Sequence, residues 1–157
     1  APIHKVVVAV SADDPWWPTL AVSRHPRVQT VAGGDTRADS VRNGVAAVLD
    51  EGGADAWALV HDMARPLIRL SDIQTLLDQT GPQGAILALP VVDTIKQAAD
   101  EQHIAATLDR TRIWRALTPQ LFPAKALLAA LNGDLANITD EASAMERDGW
   151  QPGGRAQ

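Results

Sequence analysis

The sequence of 157 residues has no cysteine and no long apolar run. Without cysteine, disulfide bonds, thiolate nucleophiles and thiolate metal sites are excluded, which fits a reducing compartment. No apolar stretch approaches the ~18 residues of a membrane span. The N-terminus, Ala1 to His4, lacks the basic and then apolar pattern of a secretory signal. We therefore expect a cytoplasmic protein with no membrane partner.

The chain also lacks an excess of positive charge. It has 14 Lys and Arg against 19 Asp and Glu, a net charge of −5. Because nucleic-acid binding depends on a basic face, we expect no nucleic-acid partner, although a single nucleotide can still bind. The sequence shows no glycine-rich phosphate loop, no zinc-ligand spacing and no Ser, His and acid pattern of a nucleophilic site. Its four His residues are isolated in sequence, which favours structural roles.

What the sequence does contain predicts an α/β fold. With 46% apolar and 21% charged residues, the chain fits one globular domain, 1–157, with a proper core. Continuous apolar runs predict buried strands of a parallel sheet, and apolar residues at helical spacing predict helices packed on it. The alternating elements are strands at Lys5–Ser11, Val28–Val31, Trp57–Val60 and Gly84–Val92, with helices at Ala38–Asp50 and after a Ser71–Asp72 cap.

The alternation stops after Val92. From Asp93 to about residue 113, polar and apolar segments flank a polar tip at Asp100 to Gln102, which predicts a two-stranded arm. Because a lone hairpin is marginally stable in water, we expect a second subunit to hold it. Two further helices are predicted, Lys125–Leu131 and one that opens at Thr139, Asp140 and Glu141.

The stretch that follows the Trp57–Val60 strand carries the clearest chemistry. His61 and Asp62 stand at the strand end, Arg65 follows, and Pro66 ends regular structure. Ligands of open α/β sheets bind beyond the carboxyl ends of the strands, which gives Asp62 and Arg65 a functional interpretation. A helix-capping Asp paired with an Arg explains the same residues equally well.

A second polar group follows the Val28–Val31 strand. Gly33 and Gly34 allow a sharp turn or a close approach to a ligand, and Asp35 can accept hydrogen bonds from an amino group. Arg37 and Ser40 lie at the start of the next helix, where free N–H groups favour anions. A plain turn is the alternative. These residues alone indicate an α/β domain that binds an anionic ligand.

Six strings, in this order and spacing, resemble the 2-C-methyl-D-erythritol 4-phosphate cytidylyltransferase family of the non-mevalonate isoprenoid pathway. They are GGDTRADSV from Gly33, VHDMARP from Val60, DTIK from Asp93, Asp109-Arg110, LTPQ from Leu117 and ITDEAS from Ile138. The resemblance implies a Rossmann-like nucleotidyltransferase with a mostly parallel sheet, helices on both faces and a protruding β-arm. It also implies a bacterial enzyme that joins CTP and methylerythritol phosphate with release of pyrophosphate, assisted by Mg²⁺ bound mainly through the CTP phosphates, and a homodimer formed through the arm.

The resemblance also implies roles for single residues. Gly34, Asp35 and Ser40 would recognise cytosine, and Asp62 with the backbone of Met63 would contact the ribose. Methylerythritol phosphate would be held by Arg65, Thr94 and Arg110, with Thr94 and Arg110 reaching into the partner's site, and by Thr139 at its hydroxyl side. No protein ligand to the metal is implied.

Three departures from the family pattern accompany the resemblance. The family's N-terminal glycine-rich loop and its C-terminal segment with a lysine are not found within these residues, so we expect the domain to be incomplete at both ends. The region after Pro152 also looks shorter than the family's, as if a strand were missing before Gly154. Met63 stands where the family usually has Ala, beside the ribose. We therefore expect these 157 residues alone to bind poorly and not to catalyse. The alternatives are a cytidylyltransferase for another polyol phosphate, such as ribitol 5-phosphate, and a non-catalytic nucleotide-binding or dimerisation module.

Overall fold

The computed structural model describes residues 3–133 and 138–156. Within these ranges eight strands and four helices alternate as an α/β protein. None of these helices has the length and apolarity that crossing a bilayer requires. The elements are β1 (Val6–Val10), β2 (Val28–Ala32), α1 (Arg37–Gly52), β3 (Trp57–Val60), α2 (Leu70–Gln79), β4 (Ala85–Pro90), β5 (Lys96–Ala98), β6 (Ile104–Thr107), β7 (Trp114–Pro123), α3 (Ala124–Leu131), α4 (Glu141–Arg147) and β8 (Gly153–Ala156).

The main sheet has four strands in the order β3, β7, β4, β8. β7 is antiparallel to both of its neighbours, whereas β4 and β8 are parallel. β3, β4 and β8 therefore point the same way, and β1 and β2 form a separate parallel ladder. The predicted α/β class is confirmed. The prediction that β3 lies among parallel neighbours was wrong, because the strand hydrogen-bonded to it is the returning β7.

The helices cover both faces of the sheet, as predicted. Leu121 and Phe122 are adjacent in β7, so their side chains point to opposite faces. Phe122 is fully buried in the larger core cluster, which includes Leu127 of α3 and Met145 of α4. Leu121 belongs to a second cluster with Leu76 of α2. β7 thus contributes side chains to the core clusters on both faces of the sheet.

The first strand is less buried than its apolar sequence predicts. β1 spans Val6–Val10 and its side chains are half-buried, with Val6 46% exposed. In the described residues its only strand partner is β2. The prediction of a fully buried strand was wrong because a two-stranded ladder leaves part of each strand uncovered.

Capping side chains set the starts of α1 and α4. Thr36 caps α1 in a reciprocal box with Asp39, and Asp140 caps α4 in the same way with Ser143. The predicted start of α4 is therefore confirmed. α2 begins after Arg69 with no side-chain cap, so the predicted Ser71–Asp72 cap was wrong: the helix starts at Leu70 and places both residues inside its first turn.

The predicted arm is confirmed. β5 and β6 pair with each other and, in the described part of the chain, with no other strand. All of their residues are exposed. The backbone N–H of Leu108 donates to the carbonyl of Ile95 at 2.9 Å and extends the pairing. The two strands of the arm are therefore held together by the hydrogen bonds between them, and they bury little of their surface.

Candidate functional site

An open depression of about 540 Å³ lies beyond the carboxyl end of β3. Its lining comes from the first residue of α1 and from the loop between β3 and α2. The lining residues are Arg37, Asp62, Met63, Ala64 and Arg65. The structure therefore brings together three of the predicted site residues, Asp62, Met63 and Arg65, at the edge of the sheet where ligands of α/β proteins bind.

Arg37 is held between two carboxylates on different elements. Its Nε and Nη2 donate to Oδ1 of Asp62 at 3.0 and 2.8 Å. Its Nη1 and Nη2 donate to the two carboxylate oxygens of Glu141 at 2.7 and 3.0 Å. The hydrogen bonds to Glu141 and, to a smaller extent, to Asp62 raise the pKa of Arg37. Arg37 therefore joins the β3 end to the start of α4.

Glu141 is the buried member of this group, with 1% of its surface exposed. A buried carboxylate is stable only when it is paired with an opposite charge and hydrogen-bonded. Here Arg37 supplies the positive charge and donates two N–H groups to the carboxylate of Glu141. The sequence placed Arg37 at a helix N-terminus that favours external anions. In the structure its guanidinium instead binds two anions of the chain itself.

Asp62 presents two different oxygens. Oδ1 accepts both bonds from Arg37, whereas Oδ2 lies 3.7 Å from Nε of Arg65. A separation of 3.7 Å is too long for a hydrogen bond, so Oδ2 makes only a long ion-pair contact with Arg65 and retains acceptor capacity. The carboxylate is thus fixed at one oxygen and available at the other.

A series of hydrogen bonds holds the backbone of the loop between β3 and α2 in place. The amide of Asp62 donates to Oγ1 of Thr118 at 3.2 Å, and that hydroxyl lies 3.1 Å from Nδ1 of His61. Nε2 of His61 lies 3.0 Å from the carbonyl of Arg65. This pattern assigns the proton of a neutral imidazole to Nε2, with Nδ1 accepting from Thr118. Both ring nitrogens of His61 therefore have partners within the protein.

Gly34 and Ser40 are joined directly. The amide of Gly34 donates to Oγ of Ser40 at 3.0 Å, and that hydroxyl donates to the carbonyl of Thr36 at 3.1 Å. A Cβ on Gly34 would lie 2.2 Å from Cβ of Asp39. Gly34 is therefore required by the close approach of this loop to the first turn of α1. Asp35, between them, is exposed.

Met63 lies at the depression with 76% of its surface exposed. Its side chain therefore makes little contact with the protein. An exposed side chain can move aside when a ligand enters, and the amide of the preceding residue, Asp62, is hydrogen-bonded to Thr118.

The arm residues lie outside the depression. Arg110 begins a short 3₁₀ turn, Arg110–Arg112, and its Nη1 donates to the carbonyl of Val92. Asp109 caps this turn by accepting from the amide and hydroxyl of Thr111 at 3.0 and 2.7 Å, and these bonds lower the pKa of Asp109. Thr94, nearby in sequence, is exposed. Neither Thr94 nor Arg110 lines the depression.

The start of α4 is anchored by a buried amide that the sequence analysis did not single out. Gln120 of β7 donates to Oδ2 of Asp140 at 2.8 Å and accepts from the amide of Ala142 at 2.8 Å. Thr139, a predicted site residue, donates its amide to Oγ of Ser143 at 3.0 Å. Thr139 therefore lies just before the N-cap of α4, two residues before Glu141, and is bonded to the first turn of that helix.

Sequence reasoning missed Glu141, Thr118 and Gln120 as parts of the site's support. Glu141 and Thr118 stand inside strings that were recognised, but no local pattern signals that Glu141 is buried or that Thr118 bonds the Asp62 amide. Both facts depend on contacts across 104 and 56 residues of sequence. Among the described residues no group of three or more His, Cys, Asp or Glu side chains is arranged to hold a metal ion.

The fold and site together define an α/β domain of the nucleotidyltransferase type, with polar strand ends beside a depression and a separate β-arm. Residues 1–153 match the family described as IspD, 2-C-methyl-D-erythritol 4-phosphate cytidylyltransferase. The chain is 49% identical over 153 residues to a protein of that name from Haemophilus influenzae, and 53% identical over 156 residues to one from Shewanella amazonensis. The chain therefore belongs to the 2-C-methyl-D-erythritol 4-phosphate cytidylyltransferase family.

Solved structures agree with this assignment. A crystal structure titled 4-diphosphocytidyl-2C-methyl-D-erythritol synthase aligns with a TM-score of 0.85 at 41% identity, over 97% of this chain and 72% of that one. The Francisella tularensis family member aligns with a TM-score of 0.81 at 34% identity, over 98% and 71%. The alignments cover 96% of this chain but 66% of the Haemophilus protein and 65% of the Shewanella protein, so the chain spans just under two thirds of their length.

Proposed function

We propose that the protein carrying this chain joins CTP and 2-C-methyl-D-erythritol 4-phosphate to give 4-diphosphocytidyl-2-C-methyl-D-erythritol and pyrophosphate. The observation that carries this proposal is the family match over residues 1–153, a range that contains every residue assigned below. The relatives named above are bacterial, so we place the reaction in a bacterial cytoplasm as a step of isoprenoid precursor synthesis.

The nucleotide is proposed to bind at the loops that follow β2 and β3. Gly34, Asp35 and Ser40 would recognise cytosine, since an exposed carboxylate and backbone groups match the amino and carbonyl edge of that base. Asp62 and the backbone of Met63 would contact the ribose. The direct bond between Gly34 and Ser40 supports this, because it gives the base-binding turn one fixed shape.

The second substrate is proposed to bind through arginines. Arg65 lines the depression, and Thr94 and Arg110 on the arm would reach the site of a partner subunit. A guanidinium suits a phosphate monoester because it can donate two parallel bonds. The exposed, self-paired arm supports a homodimer, since a hairpin of this size gains stability when a second surface covers it. Thr139 would contact the hydroxyl side of the substrate.

The chemistry requires alignment more than a reactive side chain. A phosphate oxygen of the second substrate attacks the α-phosphorus of CTP in line with the departing pyrophosphate. Cationic groups such as Arg65 and Arg110 would stabilise the charge that develops. Because the described residues include no group of three or more His, Cys, Asp or Glu side chains that could hold a metal ion, a Mg²⁺ ion would be held mainly by the CTP phosphates. When bound, Mg²⁺ would offset negative charge on the leaving pyrophosphate.

The proposal is tested by pyrophosphate release from the protein that carries this chain, with Mg²⁺ and CTP, with and without methylerythritol 4-phosphate. We expect release only when both substrates are present. No release with both, or release with ribitol 5-phosphate in place of methylerythritol 4-phosphate, would contradict the proposal.

A variant assay tests the role given to Arg110. Arg110→Met should raise the KM for methylerythritol 4-phosphate much more than the KM for CTP, by about tenfold or more for the loss of a charged hydrogen-bond donor. Arg112→Met, two residues away in the same 3₁₀ turn, is the matched control and should leave both constants near wild type. Equal effects of Arg110→Met on both substrates would refute the role.

A further inference from the structure

The Arg37 group offers more than structural support. Arg37 spans two elements that are far apart in sequence, and it contributes a fixed guanidinium to the lining of the depression. Four of its five N–H donors point to carboxylate oxygens within 3.0 Å, on Asp62 and Glu141. Almost no donor capacity remains for an external ligand, so the chemistry of Arg37 is directed at Asp62.

Glu141 determines where this guanidinium sits. Its carboxylate is 1% exposed and occupies the first position of α4, whose start is fixed by the Asp140 cap and by Gln120. Both oxygens of Glu141 receive bonds from Arg37. The rigid helix start therefore fixes the plane of the guanidinium, and the other edge of that plane fixes Asp62.

We propose that Glu141 and Arg37 are positioning residues that turn Oδ2 of Asp62 toward the ribose hydroxyls of the bound nucleotide. With Oδ1 occupied by Nε and Nη2 of Arg37, the carboxylate cannot rotate without losing two charged bonds. Oδ2, 3.7 Å from Nε of Arg65, is then left as the fixed acceptor of a residue that lines the depression. This inference rests on the proposed function, because it assumes that the nucleotide lies in the depression.

The test uses the affinity of the protein for CTP relative to 2′,3′-dideoxy-CTP, each measured with Mg²⁺ by calorimetry or NMR titration. A fixed carboxylate that accepts from a ribose hydroxyl should make the wild-type protein prefer CTP by about tenfold. In Glu141→Gln the amide keeps the size of the side chain but loses the charge and one acceptor oxygen, so the preference should fall toward one. A merely structural role would lower both affinities equally and leave the ratio unchanged.

Two further variants make the result decisive. Arg37→Lys keeps a cation beside the buried carboxylate, and hence the fold, but lacks the planar fork; it should lose the ribose preference as Glu141→Gln does. Glu51→Gln makes the same substitution at an exposed carboxylate, which pairs with Lys5 at 2.6 Å, and should keep the wild-type ratio. The Nε–H resonance of Arg37 should be resolved and slowly exchanging in the wild-type protein and should lose that protection in Glu141→Gln.

The outcomes separate the two proposals. If the wild-type protein binds CTP but its preference over the dideoxy nucleotide survives in both Glu141→Gln and Arg37→Lys, only the positioning role is overturned. If the wild-type protein does not bind CTP at all, the proposed function and this inference both fall. If only the two positioning variants lose the preference, the inference is confirmed.

Discussion

Replacing Gly34 by alanine should disrupt the start of α1, whereas the same change at Gly33 should not. The added Cβ at Gly34 would stand 2.2 Å from Cβ of Asp39, which itself belongs to the capping box of the helix. Ordinary carbon contacts lie near ~3.5–4.0 Å, so the loop and the helix must separate by about 1 Å or more. At Gly33 the nearest atom, the carbonyl oxygen of Val10, is 3.4 Å away, an ordinary contact.

The magnitude follows from the cost of overpacking. Forcing extra volume into a packed contact costs about 1–3 kcal/mol, and for a chain of this size each kcal/mol lowers Tm by about 2–4 °C. Gly34→Ala should therefore lower Tm by roughly 2–12 °C and weaken CTP binding, because the Gly34 to Ser40 bond is displaced. Gly33→Ala, measured in the same thermal melts and titrations, should stay near wild type. Equal effects of the two variants would refute the close-approach explanation.

Two further predictions concern hydrogen-bonded side chains outside the depression. The pKa of Asp109 should lie below its ordinary 3.8 because the amide and hydroxyl of Thr111 donate to its charged form. The stabilisation that these bonds give the turn should be present at pH values above the ordinary pKa and should be lost as the pH falls through the lowered pKa. In Thr111→Val the pKa of Asp109 should rise, and a carboxyl NMR titration that finds no such rise would contradict this explanation. Gln120→Met should lower the free energy of unfolding by about 1–3 kcal/mol, since the buried amide of Ala142 loses its acceptor. In urea denaturation the exposed Gln74→Met is the control, and comparable losses in the two variants would refute the buried-bond account.

Local sequence patterns predicted much of the fold because its elements have strong local signals. The apolar run of β4 and the helical spacing of α1 agree with the observed elements to within a few residues. The polar tip of the arm predicted its turn, where Asp100 accepts from the amides of Gln102 and His103. These features are set by residues that are near neighbours along the chain.

What sequence reasoning missed depends on distant contacts. The antiparallel direction of β7 is decided by how the chain returns from the arm, which no local period encodes. β8 carries two glycines, Gly153 and Gly154, and so gave no strand signal, yet it pairs with β4 along its length. Asp62 and Arg65 were found from their place at a strand end. The buried Glu141 that fixes Asp62 through Arg37 was not, because burial is a property of the assembled core.

The proposed function requires that the loops after β2 and β3 form the site of a cytidine nucleotide. The decisive measurement is a titration of CTP with Mg²⁺ into the isotope-labelled protein, followed through its amide resonances. We expect the largest shifts at Gly34, Asp35 and Met63, with much smaller changes for UTP at the same concentration. Shifts of equal size with UTP, or shifts confined to residues outside these loops, would contradict it.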